Sequence, residues 1–123
     1  MPDASLTFRI AGLRLGLRSD RPEILRRLAG RYAPFRARSE PEFLLRIDFA
    51  GAPWGPDREE PRIQSAGWAM RVERRDLEAE LGARGGHARV VARPSPLDSL
   101  LRIALSFALA RRGGFLCHAA AVD

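Results

Sequence analysis

Not one lysine occurs among the 123 residues: all 21 basic side chains are arginine, set against 15 carboxylates, for a formal net charge of +6. That absence removes two chemistries from these residues. A GxxxxGK[ST] phosphate loop needs the lysine ammonium on the phosphates, and Schiff-base catalysis needs a primary side-chain amine. Cysteine is nearly absent as well. A single Cys117 excludes an internal disulfide framework. The two histidines, His87 and His118, come with no CxxC, HxxxH or HExxH spacing, so no zinc ligand set is written in the sequence. No charged segment followed by an apolar one opens the chain, and the expected compartment is the cytoplasm. The longest apolar run, "LLRIALSFALA", is too short for a bilayer and is interrupted by Arg102, so no membrane span is expected.

What is present is an ordinary globular composition, 46% hydrophobic and 29% charged, in a length that suits one domain with a real core. The sequence has no internal repeat and no low-complexity segment. The arginine excess fits coding bias, although it would also suit an anionic partner. Arg9, Arg14, Arg46, Arg71, Arg74 and Arg89 fall on expected strands, with Phe49, Trp54 and Trp68 available to stack bases. The glycine-aromatic signature of sheet-type RNA readers is missing and carboxylates are interspersed, which argues for a solvated basic surface and against a nucleic-acid partner. The acidic runs read the same way. "DREE" lies in a proline-rich loop, while Asp76, Glu78 and Glu80 alternate with Leu77, Ala79 and Leu81 as on a solvent-facing strand.

Periodicity predicts an α+β fold, a mostly antiparallel sheet with two helices. "LTFRIAGLRLGL" alternates on both sides of Gly12 and reads as two strands with a tight turn. In "SDRPEILRRLAGRY", Asp20 is the expected N-cap, Pro22 lies in the first turn, and Ile24, Leu25, Leu28 and Tyr32 form the buried face. Glu23 is placed to pair with Arg27, four residues on. "EFLLRIDFAG" reads as a strand and "GAPWGPDREEPR" as a surface loop. A meander comes next through "RIQSA", "WAMRVER", "DLEAEL" and "HARVVAR", with "GARGG" as a hairpin turn. "DLEAEL" has helical composition but strand alternation, and its extended neighbours favour the strand. The last helix, "RPSPLDSLLRIALSFALARRGG", is capped in this reading by Ser95, with Asp98 and Arg111 and Arg112 complementing its dipole. Only Asp98, Arg102 and Ser106 form a polar stripe on it, so it should be covered on most sides. The stretch Pro94–Pro96 divides a sheet-rich region, residues 1–94, from a helix and strand, residues 95–123.

The final "GFLCHAAAVD" is apolar on both faces, as in the central strand of a covered sheet. Cys117 and His118 are adjacent, so on a strand they point to opposite faces and cannot form a nucleophile-base pair. The dull reading of Cys117 is a small core residue, and of His118 a hydrogen-bonded core imidazole.

Taken together, "LLRIALSFALARRGGFLCHAAAVD" resembles the segment just upstream of the phosphate-binding loop in the HPr serine kinase family, particularly the shorter HPr-kinase-like proteins of bacteria. There a hydrophobic helix, a Gly-Gly break and a strand of the type [LV]-H-[AG]-x-x-V lead through a short hairpin to GxSGxGKS. Here Cys117 stands where relatives often carry an apolar residue. His118, Ala119, Ala120, Ala121 and Val122 match the pattern. The resemblance implies an ATP- and magnesium-dependent phosphotransferase acting on a protein serine or a small molecule, with His118 as a catalytic residue near the phosphate loop. The loop with its lysine, the carboxylate base and the magnesium ligands come after this segment in the family. The expectation is therefore an N-terminal portion, truncated before its kinase core and inactive alone, whose principal partner is that missing C-terminal core. The alternative is a standalone, non-catalytic module that binds a partner protein through its apolar ending.

Overall fold

Alternation of leucines on either side of Gly12 becomes a hairpin. In the computed structural model, which describes residues 3–54, 62–66 and 69–111, strands β1 (Ala4–Ile10) and β2 (Leu13–Ser19) pair antiparallel, with Ile10 opposite Leu13. Ala11 and Gly12 make the turn at φ 53° and 79°, both in the left-handed region that a two-residue hairpin matching the strand twist requires. Leu6, Phe8, Leu13, Leu15 and Leu17 are all buried on one face.

Helix α1 (Pro22–Arg31) carries the chain away from β2 and buries Ile24, Leu25 and Leu28. It starts one residue later than the Asp20 cap implies. Arg21 holds the N-cap position without a side-chain cap, and Ser19 Oγ accepts the Arg21 N–H at 3.1 Å. Pro22 takes the first helical position, where its missing N–H costs nothing. Glu23 pairs with Arg21 at 2.5 Å, not with Arg27. That guanidinium, aided by a backbone hydrogen bond, holds the Glu23 carboxyl below the usual carboxylate range.

After a 3-10 turn at Ala33–Phe35 come β3 (Arg36–Ala37) and β4 (Phe43–Ala50). Then β5 (Arg62–Ala66), β6 (Ala69–Arg74), β7 (Leu77–Leu81) and β8 (Gly85–Val91) form the meander, so "DLEAEL" is a strand. Its alternation wins because Leu77, Ala79 and Leu81 each enter the core, a burial that helical winding would scatter around the axis. The sheet order is β3-β1-β2-β4-β8-β7-β6-β5. Five of the seven pairings among the described residues are antiparallel. The two parallel ones flank β4.

Helix α2 (Pro94–Arg111) closes the same face of the sheet as α1, packing on β7, β8 and β2 while α1 packs on β1 and β2. It begins at Pro94, so Ser95 lies inside the first turn and is not the cap. The Leu97 N–H already bonds the Arg93 carbonyl at 3.2 Å. Leu100 and Ala104 are fully buried, and Ile103, Leu105 and Phe107 pack half-buried along its shoulders. No helix among the described residues is long and apolar enough to cross a membrane.

A polar clamp joins the two helices. The Tyr32 hydroxyl and the Arg31 guanidinium each donate to one oxygen of Asp98, while the Tyr32 ring meets Phe8 edge-on at 5.7 Å. Burial, reinforced by the hydrogen bond to Asp98, raises the Tyr32 pKa above its ordinary value. A folded-state pKa raised in this way gives stability that is complete below the unfolded pKa, about 10 for a phenol. That stability is lost as pH climbs through the folded value. Tyr32→Phe is therefore expected to cost on the order of 1 kcal/mol at neutral pH and to flatten the alkaline loss of stability. Urea melts run from neutral pH to above the phenol range would show both effects.

Candidate functional site

Strand alternation that fills the core sends the other half of each strand to a second face, which carries no helix among the described residues. Register brings distant charges together there. Arg18 of β2 lies opposite Arg46 of β4, Arg46 opposite His87 of β8, His87 opposite Glu80 of β7, and Glu80 opposite Arg71 of β6. One pleat along, Asp48, Arg89 and Glu78 form a second row.

The rows are stitched diagonally. His87 Nε2 lies 2.7 Å from Asp48 Oδ2. Arg71 reaches Glu73 at 2.8 Å and Glu80 at 3.5 Å, and Arg46 is held by Asp3. The Arg89 guanidinium stacks 4.3 Å above the Trp54 ring. A depression of about 170 Å³ opens between Asp48, Arg71, Glu78, Glu80, His87 and Arg89.

In a nucleophilic dyad, a histidine oriented by an aspartate needs a nucleophilic side chain within reach of its other nitrogen. The cross-strand neighbours of His87 are Arg46 and Glu80, and neither is one. The pair is also solvated, its side chains 58% and 50% exposed, so it contributes little stability. This face can recognise a partner by its charge pattern. Among the described residues no group of three or more His, Cys, Asp or Glu could hold a metal ion.

Of the stacking aromatics singled out in the sequence, Phe49 packs half-buried against the core, Trp54 meets this face but is stacked on Arg89, and Trp68 lies outside the described residues. Glu78 and Glu80 do alternate with the buried Leu77, Ala79 and Leu81 as expected, while Asp76 turns to Arg74. The acidic run at 57–60, Cys117 and the catalytic candidate His118 also lie outside the described residues.

Another cavity, of about 590 Å³, sits at the start of α2 between Arg74, Arg75, Arg93 and Ser95. Its cations invite an anion. However, Arg74 is committed to Asp76, and Pro94 and Pro96 remove two of the first-turn N–H groups that would cradle one.

Sequence reasoning missed the Asp48–His87 pair. Parity alone puts each on the solvent face, but nothing local in the chain announces that β4 and β8 are neighbours. No protein-family model, curated protein or solved structure matches this chain in the comparisons made with each.

Proposed function

We propose that the chain is the N-terminal portion of an HPr-serine-kinase-like, ATP-dependent phosphotransferase of the cytoplasm, in which this sheet unit is a non-catalytic platform. The observation that carries the reading is the pattern from Leu100 to Asp123: an apolar helix, a Gly-Gly break and the strand pattern "FLCHAAAV". The position of α2 supports it. A helix anchored on β7, β8 and β2 and ending at Arg111 would tie a C-terminal core to the sheet.

The residues present do not fit ATP and magnesium. A phosphate loop needs a lysine, and the chain has none. In the proposed parent, both groups belong to the sequence after Asp123, and positioning and charge neutralisation of the phosphates reside there. His118 then stands beside the transferred group, where an imidazole can orient or relay a proton. The sheet unit supports that core and, through its open charged face, helps select the acceptor, a protein serine or a small molecule.

A second reading, a standalone protein-binding module, draws support from the core itself. Both helices and the sheet share one cluster of buried side chains within the described residues. The experiment that separates the two is titration of Mg–ATP into the 123-residue chain and into the protein extended past Asp123. The kinase reading expects no binding to the short chain and saturable binding to the long one. A folded long chain that fails to bind would overturn it.

A further inference from the structure

One edge of the sheet is only partly closed. β3 pairs with β1 at Thr7 and Phe8 alone, so among the described residues no strand lies against the outer edge of Ala4–Leu6. Continued antiparallel register would have set Arg38, Ser39 and Glu40 along it. Those residues are not in a strand. The chain has turned toward β2, where the Pro41 ring fills the space that a Cβ on Gly16 would occupy. An extended backbone edge with unpaired N–H and C=O groups is a template for another strand.

Beside that edge runs a groove of about 520 Å³ between β1 and α1. Its apolar lining comes from Leu6, Leu25, Ala29 and Ala33, its charge from Arg26 and Arg36, and no carboxylate lines it. Neither arginine makes a close ion pair with a described residue, although Arg26 lies near enough to Glu23 to favour its ionised form. This sets them apart from Arg46, Arg71 and Arg74 on the sheet, whose charges are answered within the fold. Phe35, 44% exposed, immediately precedes Arg36 in the chain.

We propose that this groove binds an extended acidic segment of a partner protein, which adds to the sheet along Ala4–Leu6. Main-chain hydrogen bonds to β1 supply affinity, and alternate side chains supply selection. Apolar ones sit over Leu6, Leu25 and Ala29, and carboxylates meet Arg26 and Arg36. A basic segment is repelled. A second copy of this chain is disfavoured for the same reason, since edge-to-edge pairing would face two sets of these arginines on bodies that each carry +6. Binding at this edge is independent of the kinase reading, because it involves no residue beyond Asp123.

The test is selection of random dodecapeptides by display on the full chain, followed by anisotropy titration of the selected peptides. The expected result is enrichment in Asp and Glu and a loss of affinity of at least about tenfold in the Arg26→Glu, Arg36→Glu double variant. Both arginines are exposed, so the fold should tolerate the change. Amide hydrogen exchange at Ala4–Leu6 should slow in the complex, and Arg62→Glu on β5, at the opposite edge of the sheet and exposed, should leave affinity unchanged. Failure to select any peptide, selection without acidic enrichment, indifference to the double variant, or absence of protection at Ala4–Leu6 would each overturn the proposal. So would a dimer that forms through this edge.

Discussion

Gly85→Val is expected to destabilise the fold by at least about 3 kcal/mol, at the upper end of what overpacking costs. Gly85 opens β8, which enters the sheet between β4 and β7. A Cβ placed on it would lie 2.0 Å from the Leu44 carbonyl oxygen and 2.9 Å from the Leu44 carbonyl carbon. Both atoms belong to backbone, so no rotamer change relieves the clash. β8 would have to retreat from β4, and the register that pairs Arg46 with His87 and Asp48 with Arg89 would go with it. Since domains of this size are commonly stable by about 5–15 kcal/mol, a large share of the total is at stake. Gly30→Ala in α1 is the matched control. A Cβ there meets nothing within 4 Å, and removing a helical glycine should gain about 0.5–1 kcal/mol. Urea unfolding of both variants checks the pair, and equal stabilities would contradict the close approach of β4 to β8.

In the extended protein that the kinase reading proposes, His118→Ala is expected to lower phosphoryl transfer by about 10²–10⁴-fold, the usual contribution of a positioned acid-base group. Mg–ATP affinity should change less than about threefold, because phosphate charge is met by the loop lysine and magnesium and not by the imidazole. The drop therefore belongs in kcat, with KM for ATP nearly constant. Transfer to water suffices as the readout when the acceptor is not in hand. A hydrogen-bonded core imidazole predicts the reverse: a lower melting temperature, and an unchanged rate once the variant is corrected for its folded fraction.

Local pattern carries much of the architecture. The β1–β2 hairpin, the buried Ile24, Leu25 and Leu28 of α1, the strand at Phe43–Ala50 and the meander are all legible, because side-chain alternation and helical spacing report directly on which face is buried. Even "DLEAEL" is legible when Leu77, Ala79 and Leu81 are weighed above helix propensity. Helix starts are less so. Asp20 and Ser95 are good caps by chemistry, yet the prolines at 22 and 94 fix the first helical residue and displace each expected cap. The order of the sheet is not legible at all. Placing β4 between β2 and β8 joins residues as far apart as Leu44 and Gly85, and no local signal encodes such a pairing. The open face with Asp48 and His87 is a product of that insertion, so it stays hidden for the same reason. His118 is the opposite case, named by the resemblance alone and lying outside the described residues.

The central claim is that these residues form a platform leading into a phosphate-binding core. Reading the coding sequence beyond Asp123 tests it most directly. The account predicts GxxxxGK[ST] within roughly 20 residues, the length of a short hairpin before such a loop. Sequence that continues through that window in every frame without the motif would contradict it.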